Sequence, residues 1–349
     1  MKKSVKILLA CSLLRPQGWE TLMNQFDLVD NSNTVSFILN DKSLLVEIMD
    51  APAISKFELI NRPVGYNIPG FISGMVTASY GNIKIEGYAD APDNICEQKA
   101  VSEALERFTL KLHTKKNKTA ETSSGWACHP VPQRAIENAV LELIERDVAL
   151  TNWENAGPFF EVPETLWPEE IVKWKEQSSK NTEYSHLKIL LSETQNGSCI
   201  SALLLNEKNN FVTGHASRKE LDQAILSAAS ECMRAAHSAL RFEYINEVNS
   251  LHLDGNHEKV QPGVHSVAYA YSVSLPSDIQ IEASTDQQII QKWRSHRNSF
   301  DSLNFDNFKI NLFQIGDRFV ARVKTNLLRP IFWGSKNYIT KNNYPHFVG

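Results

Sequence analysis

Glutamate and arginine recur at helical spacing in three stretches of the sequence: Glu103-Ala-Leu-Glu106-Arg107, Glu142-Leu-Ile-Glu145-Arg146 and Ser227-Ala-Ala-Ser-Glu231-Cys-Met-Arg234. Residues three and four apart are neighbours on a helix, so Asn138, Glu142, Glu145 and Arg146 share one stripe of the second stretch. Ser227, Glu231 and Arg234 share one of the third. A single such cluster is ordinarily a solvated helix face with an internal ion pair. Here each stretch is ringed by apolar residues: Ala100, Val101, Ala104, Leu105 and Phe108; Ile136, Ala139, Val140, Ile144 and Val148; Ala224, Ile225, Ala228, Ala229 and Met233. That pattern implies helices buried over much of their circumference. A carboxylate there costs free energy unless it is paired, protonated or holding a cation. Converging glutamates with arginines between them suit Mg2+ ions that bridge phosphate oxygens, the carboxylates on the hard cation and the guanidinium groups on phosphate.

The elements that must position these stripes are legible around them. The second helix is expected from Pro132, a favourable first-turn residue, to about Trp153. The first follows two paired strands, Phe71 to Tyr80 and Ile83 to Tyr88, and opens near Asn94, with Glu97 three residues on as in a capping box. Strands Leu187 to Ser192, Ser198 to Leu205 and Phe211 to His215 lead to the third, for which Ser217-Arg-Lys-Glu220 reads as the capping box. Elsewhere the pattern predicts strands over 5–14, 35–39, 44–48, 267–275, 308–313 and 319–324, helices over 19–26, 169–177 and 287–293, and a polar loop over 246–263. Arg322 and Lys324 alternate with Ala321 and Val323, so both face one side of the last strand, as an exposed basic face or a phosphate contact. The turn-rich Arg62-Pro-Val-Gly-Tyr-Asn-Ile-Pro-Gly70 marks a boundary between a small N-terminal section over 1–62 and a catalytic unit over 63–349. The N-terminal section reads equally as a docking surface and as an added layer on the core. The fold class expected is mixed α/β (α+β), with the Glu/Arg helices packed on antiparallel-rich sheets around a nucleotide site.

Composition excludes several classes of function. With 36 basic and 40 acidic residues the net charge is -4, which leaves no nucleic-acid footprint. A hydrophobic content of 42% and a charged content of 22% call for neither disorder nor a membrane. The five cysteines, Cys11, Cys96, Cys128, Cys199 and Cys232, are scattered and lack a Cys-x-x-Cys pair. That suits a reducing, cytoplasmic compartment and argues against a zinc site or a disulfide framework. Leu9-Ala10-Cys11 invites a lipoprotein-signal reading, but Lys6 interrupts the apolar core, and a buried strand is the better reading. There is no Walker-type loop, His-Glu-x-x-His, nucleophile elbow or kinase signature. Nucleotide use through helix-borne carboxylates remains, beside the blander alternative of a structural protein whose Glu/Arg helices are only ion-paired.

At these residues the chain resembles the YcaO family, whose ATP site is built from Glu-x-x-Glu-Arg helices and a third Glu-bearing helix. The resemblance runs over about 63–349. It is most specific at Ser124-Gly-Trp-Ala127 with Pro132 to Asp147, continues through Gly214-His-Ala-Ser217, Ala224-Ile225 and Glu231, and ends weakly at Tyr344-Pro-His-Phe347. It implies ATP and Mg2+ as cofactors, with Glu103, Glu106, Glu142, Glu145 and Glu231 on the metal, and Arg107, Asn138, Arg146, Ser227 and Arg234 completing the nucleotide contacts. Pro345 and His346 would enter the active site, and no other catalytic residue is assigned. The implied reaction is activation of a backbone amide in a ribosomally made precursor peptide, with azoline formation from Cys, Ser or Thr as the first choice. Thioamide or amidine formation, or a non-catalytic accessory role, are the alternatives. The implied partners are the precursor peptide and a separate leader-binding protein of the ubiquitin-activating-enzyme-like kind. A flavin dehydrogenase in the same complex and a homodimer are further expectations. Three departures stand out: Gly87-Tyr-Ala89 where the family has a Gly-Lys-Gly turn, Arg134 where it commonly has Glu, and a tail with few prolines. Lys84 or Lys99 could supply the missing cation. Cys128-His129 stands where a small residue and Gly are usual, and His129 reads as structural or substrate-side.

Overall fold

The computed structural model describes residues 26–28, 34–39, 42–117, 123–177, 179–207, 211–243, 277–302 and 305–328. The strand expected over 5–14, nearly all of the helix over 19–26, the loop over 246–263, the strand over 267–275, and Tyr344, Pro345 and His346 lie outside them. Among the described residues fifteen strands and five α-helices follow in order: β1 (Phe26–Leu28), β2 (Thr34–Leu39), β3 (Lys42–Met49), β4 (Ala53–Ile54), β5 (Glu58–Leu59), β6 (Phe71–Tyr80), β7 (Ile83–Pro92), α1 (Asp93–Asn117), β8 (Trp126–His129), α2 (Pro132–Glu154), β9 (Phe159–Glu161), α3 (Glu169–Gln177), β10 (Tyr184–Thr194), β11 (Gly197–Asn206), β12 (Phe211–Ala216), α4 (Leu221–Glu243), β13 (Ile281–Ala283), α5 (Asp286–Asp301), β14 (Lys309–Ile315) and β15 (Arg318–Lys324).

They form three sheets. The first runs β1-β2-β3-β14-β15-β8, the second β12-β11-β10-β9-β13, and in the third β4 and β5 line one side of β6 while β7 lines the other. Every pairing is antiparallel except β3 with β14 and β9 with β13. The fold is thus the expected mixed α/β arrangement with antiparallel-rich sheets. Strands from the 1–62 section join both neighbours, since β3 pairs β14 and β4 and β5 pair β6.

The helices fill the space between the sheets because each carries apolar side chains on more than one face. Ala100, Ala104 and Phe108 of α1 pack on Val76, Ala78 and Ala89 of the third sheet, while Leu105 meets Trp126, Phe313 and Val320 of the first. Helix α2 sits between the first and second sheets, with Ile136, Val140, Ile144 and Val148 at most 1% exposed among Ala321, Val323, Cys199 and Leu203. Each of these four side chains stabilises the fold by about 1.5–3 kcal/mol. Ala224, Ile225, Ala228 and Cys232 of α4 cover the other side of the second sheet.

Four local expectations change. Helix α1 starts at Asp93, so Asn94 lies inside its first turn. Ser217 does not cap α4, which begins at Leu221, because its hydroxyl donates to the Ser198 carbonyl at 3.0 Å and its N–H is spent on Glu145. Arg322 is neither an exposed basic face nor at the Glu cluster. It is buried between β14 and β8, donates to Asn311 at 3.1 Å and lies over the Trp126 ring at 5.7 Å. Helix α5 is longer than the 287–293 expected, and Thr285 and Gln288 close a capping box at its start.

Candidate functional site

Glycine lets two strands press against two of the Glu helices. A Cβ on Gly87 of β7 would lie 2.3 Å from both the Ala100 carbonyl oxygen and the Ala104 nitrogen of α1. One on Gly214 of β12 would lie 2.2 Å from the Ala228 oxygen and 2.3 Å from the Cys232 nitrogen of α4. Only glycine permits backbone so close. In each case the next residue's N–H reaches a carboxylate: Tyr88 donates to Glu103 and His215 to Glu231, both at 3.1 Å. The β6-β7-α1 and β11-β12-α4 units therefore carry the same device, a glycine followed by an N–H that tethers one oxygen of a helix glutamate.

Helix α2 supplies the middle of the site. Glu145 accepts the Ser217 N–H at 3.3 Å, and the Gly125 and Trp126 N–H groups favour the charged form of Glu142. Arg146 lies 3.5 Å from Glu145 and 4.0 Å from Glu142. Glu145 is sealed, with 5% of its side chain exposed, whereas Glu103, Glu142 and Glu231 are 23, 21 and 22% exposed. Arg107 pairs with Glu103 at 2.5 Å, and Arg234 stands 3.9 Å from Glu231 and 3.7 Å from Asp90.

The electrostatics follow from this crowding. Burial pushes Glu142 up to about 8 against the pull of Arg146, with Glu145 adding to the rise. Burial lifts Glu145 to about 7, again opposed by Arg146 and reinforced by Glu231. Glu106 is raised well above the ordinary carboxylate range by burial and by Glu142 and Glu103. Glu231 goes the other way, because Arg146 and Arg234 outweigh its burial. Burial works against the charge of Arg146, but Glu145, Glu231 and Glu142 hold it firmly protonated.

All the sequence-derived helix residues fall on these three elements. Glu103, Glu106, Glu142, Glu145, Arg146, Glu231 and Arg234 are linked by contact or by mutual charge. Arg107 is exposed beside Glu103, Asn138 is exposed one turn before Glu142, and Ser227 is half-buried one turn before Glu231. Arg134 turns away and pairs with Glu137 at 3.0 Å. His129 accepts the Val131 N–H at 2.9 Å at the start of α2, a structural role. Lys99 faces the site, where Arg218 and Asp90 lie near enough to influence it, whereas Lys84 lines a separate cavity beside Arg107.

Sequence reasoning missed several contributors. Asp90 holds Arg62 at 2.8 Å, with both side chains 5% exposed, and accepts from Ser73 at 2.5 Å, which ties the turn before β6 into the site. Arg218 lies 3.7 Å from Glu145. The readable signal was a glycine inside an apolar strand at residues 87 and 214, which marks close backbone approach.

The residues fit a hydrated divalent cation carried by an anion. Among the described residues no three His, Cys, Asp or Glu converge tightly enough to chelate an ion alone. Mg2+ ordinarily takes one or two carboxylates and completes its shell with waters and phosphate oxygens. Glu142 Oε2 and Arg146 Nη1 are buried with no hydrogen-bond partner, an acceptor and a donor left over in the same cluster. Such groups are costly unless a ligand satisfies them.

Fold and site together define a mixed α/β protein whose Glu/Arg helices close on the strands to make an acidic cluster interspersed with arginine. Residues 108–301 match the family profile described as "YcaO cyclodehydratase", ATP- and Mg2+-binding, and the chain belongs to the YcaO family of ATP-dependent enzymes. The family's cofactors, ATP and Mg2+, are those expected above. No curated protein sequence matches the chain. Among solved structures, a heterocyclase in complex with substrate and cofactor has a TM-score of 0.51 and 12% identity over 79% of this chain, which spans 50% of that protein. YcaO from Methanopyrus kandleri, bound with AMPPCP and Mg2+, has a TM-score of 0.48 and 12% identity over 78% of this chain and 85% of that one. The E. coli microcin synthetase McbBCD complex with pro-MccB17 bound has a TM-score of 0.48 and 11% identity, over 77% and 87%.

Proposed function

We propose that the chain binds Mg2+-ATP in the Glu/Arg cluster and uses it to activate backbone amides of a ribosomally made precursor peptide. The observation that carries this reading is the leftover pair in the cluster, Glu142 Oε2 and Arg146 Nη1, between carboxylates tethered on one oxygen only. Glu103, Glu106, Glu142, Glu145 and Glu231 would hold Mg2+, and Arg146, Arg234 and Arg107 the phosphates, with Asn138 and Ser227 at the rim. When bound, ATP supplies the phosphoryl group that makes an amide oxygen a leaving group. The protein's part is placement and charge neutralisation. Arg146 and Arg234 offset the phosphate charge, the tethering N–H groups of Tyr88, Ser217 and His215 fix each carboxylate, and Asp90 with Arg62 steadies Arg234.

The reaction proposed is cyclodehydration: a Cys, Ser or Thr side chain of the peptide adds to the preceding carbonyl carbon, and the oxygen leaves as phosphate with formation of the ring C=N. The substrate proposed is a precursor peptide presented by a separate leader-binding partner; the fold shared with a heterocyclase solved in complex with substrate and cofactor agrees with a heterocyclase scaffold. No helix among the described residues is long and apolar enough to cross a membrane. The test is calorimetric titration of Mg2+-ATP into the full chain and into a Glu142→Ala, Glu145→Ala double variant. Binding by the first and none by the second supports the reading. Equal binding by both, or none by the intact chain with its partner present, overturns it.

A further inference from the structure

Helix α5 carries none of the Glu/Arg residues, yet it grips the segment on which Glu145 depends. Trp293 donates through Nε1 to the Lys219 carbonyl at 3.2 Å, and Arg297 pairs with Glu220 at 3.0 Å. Between them His296, 3% exposed, reaches the turn at Gly197 and Ser198. Its Nδ1 accepts the Ser198 N–H at 3.0 Å, so that nitrogen carries no proton and Nε2 does. Nε2 lies 3.3 Å from the Ser217 hydroxyl, which donates its own hydrogen to the Ser198 carbonyl at 3.0 Å. The hydroxyl therefore accepts from Nε2–H. Ser217 is held at its side chain from two directions, and its N–H is aimed at Glu145. Gly197 makes the approach feasible, since a Cβ there would lie 3.0 Å from Nδ1 and 2.8 Å from Ile144.

We propose that His296 is a positioning residue for the nucleotide site, acting through Ser217 to fix Glu145. The inference rests on Glu145 serving Mg2+-ATP, as proposed above. It predicts that affinity follows the Ser217 contact rather than stability. His296→Gln retains a side-chain N–H that can reach Ser217, whereas His296→Asn keeps an acceptor for the Ser198 N–H and loses Ser217.

Mg2+-ATP dissociation constants are measured by calorimetry on the full chain, well below each variant's melting temperature. The Gln variant should stay within about threefold of the unaltered chain, and the Asn variant and Ser217→Ala should each weaken at least tenfold. Both His variants should melt lower. Equal affinities for Gln and Asn, or a Ser217→Ala variant that binds like the unaltered chain, would overturn the proposal while leaving the nucleotide reading intact. Failure of the unaltered chain to bind Mg2+-ATP would remove both.

Discussion

Replacing Gly214 by Ala tests whether the close approach of β12 to α4 makes the site. The added Cβ would sit 2.2 Å from the Ala228 oxygen, 2.3 Å from the Cys232 nitrogen and 2.9 Å from Glu231 Cβ. The two nearest are backbone atoms that no rotamer change can clear. Ordinary contact needs about 3.4 Å, so α4 must retreat by roughly 1 Å. That shift would stretch the 3.1 Å bond from the His215 N–H to Glu231 beyond hydrogen-bonding range. Overpacking costs about 1–3 kcal/mol, and a lost bond to a charged group about 1.5–3 kcal/mol. The expected result is a loss of about 2.5–6 kcal/mol of stability and at least tenfold in Mg2+-ATP affinity. Gly81→Ala is the control: its φ of +58° strains an alanine, but nothing lies within 4 Å. It should destabilise by about 1–2 kcal/mol and leave affinity unchanged. Calorimetric titration with thermal melts of both variants decides it. A Gly214→Ala chain that binds within twofold and melts like the parent would refute the reasoning.

Gly87→Ala should reproduce the same dual loss through Glu103, read in the same titration, because its Cβ meets Ala100 and Ala104 in the same way. Glu142 near 8 and Glu145 near 7 lie above ordinary carboxyl values, so the folded chain holds protons that the unfolded chain releases. Their contribution to stability is fully present below about pH 4.5 and is lost as pH rises toward 8, so melts without Mg2+ should fall across that window. A cation displaces those protons, and binding near pH 7 should release about one, measured by calorimetry in buffers of different ionisation enthalpy; uptake would contradict the assignment. Arg146→Met leaves Glu142 and Glu145 without their buried cation and should destabilise by about 3–5 kcal/mol in a chemical melt, part of it restored by Mg2+. Arg322→Ala should cost about 1–3 kcal/mol of stability with Mg2+-ATP affinity unchanged, since Arg322 serves Asn311 and the Trp126 ring.

The helices were legible because three-and-four spacing is local. Pro132 did open α2, and the stripes at Glu142 and Glu231 lie where that spacing puts them. What stayed hidden is set by contacts between residues far apart in the chain. Ser217 precedes a helix and carries the residue types of a cap, but Ser198, His296 and Glu145 compete for its polar groups and win. Arg322 alternates like an exposed basic residue, yet β8 pairs on the far side of β15 and closes that face over it. The pairing of Arg62 with Asp90 spans 28 residues and has no periodic signal.

The tethers explain why a buried acidic cluster is tolerable at all. A carboxylate with one oxygen on a backbone N–H is partly compensated and cannot rotate away, so its second oxygen keeps a fixed direction. Three glutamates are held like this from two strands: Tyr88 within β7 on Glu103, His215 within β12 on Glu231, and Ser217 just past β12 on Glu145. Arg146 sits where the fields of Glu142, Glu145 and Glu231 overlap; with Arg234 it holds Glu231 charged, while burial and carboxylate neighbours keep Glu142 and Glu145 above the ordinary carboxylate range. The cluster without a ligand is thus poised unevenly near pH 7, with Glu231 charged, Glu142 mostly protonated and Glu145 partly so. A cation arriving with phosphate would find the first site ready and draw the others into ionisation. Affinity for Mg2+ alone should accordingly be weak, and affinity for the Mg2+-nucleotide pair much stronger than the sum of its parts, because each supplies the charge that the other's ligands lack.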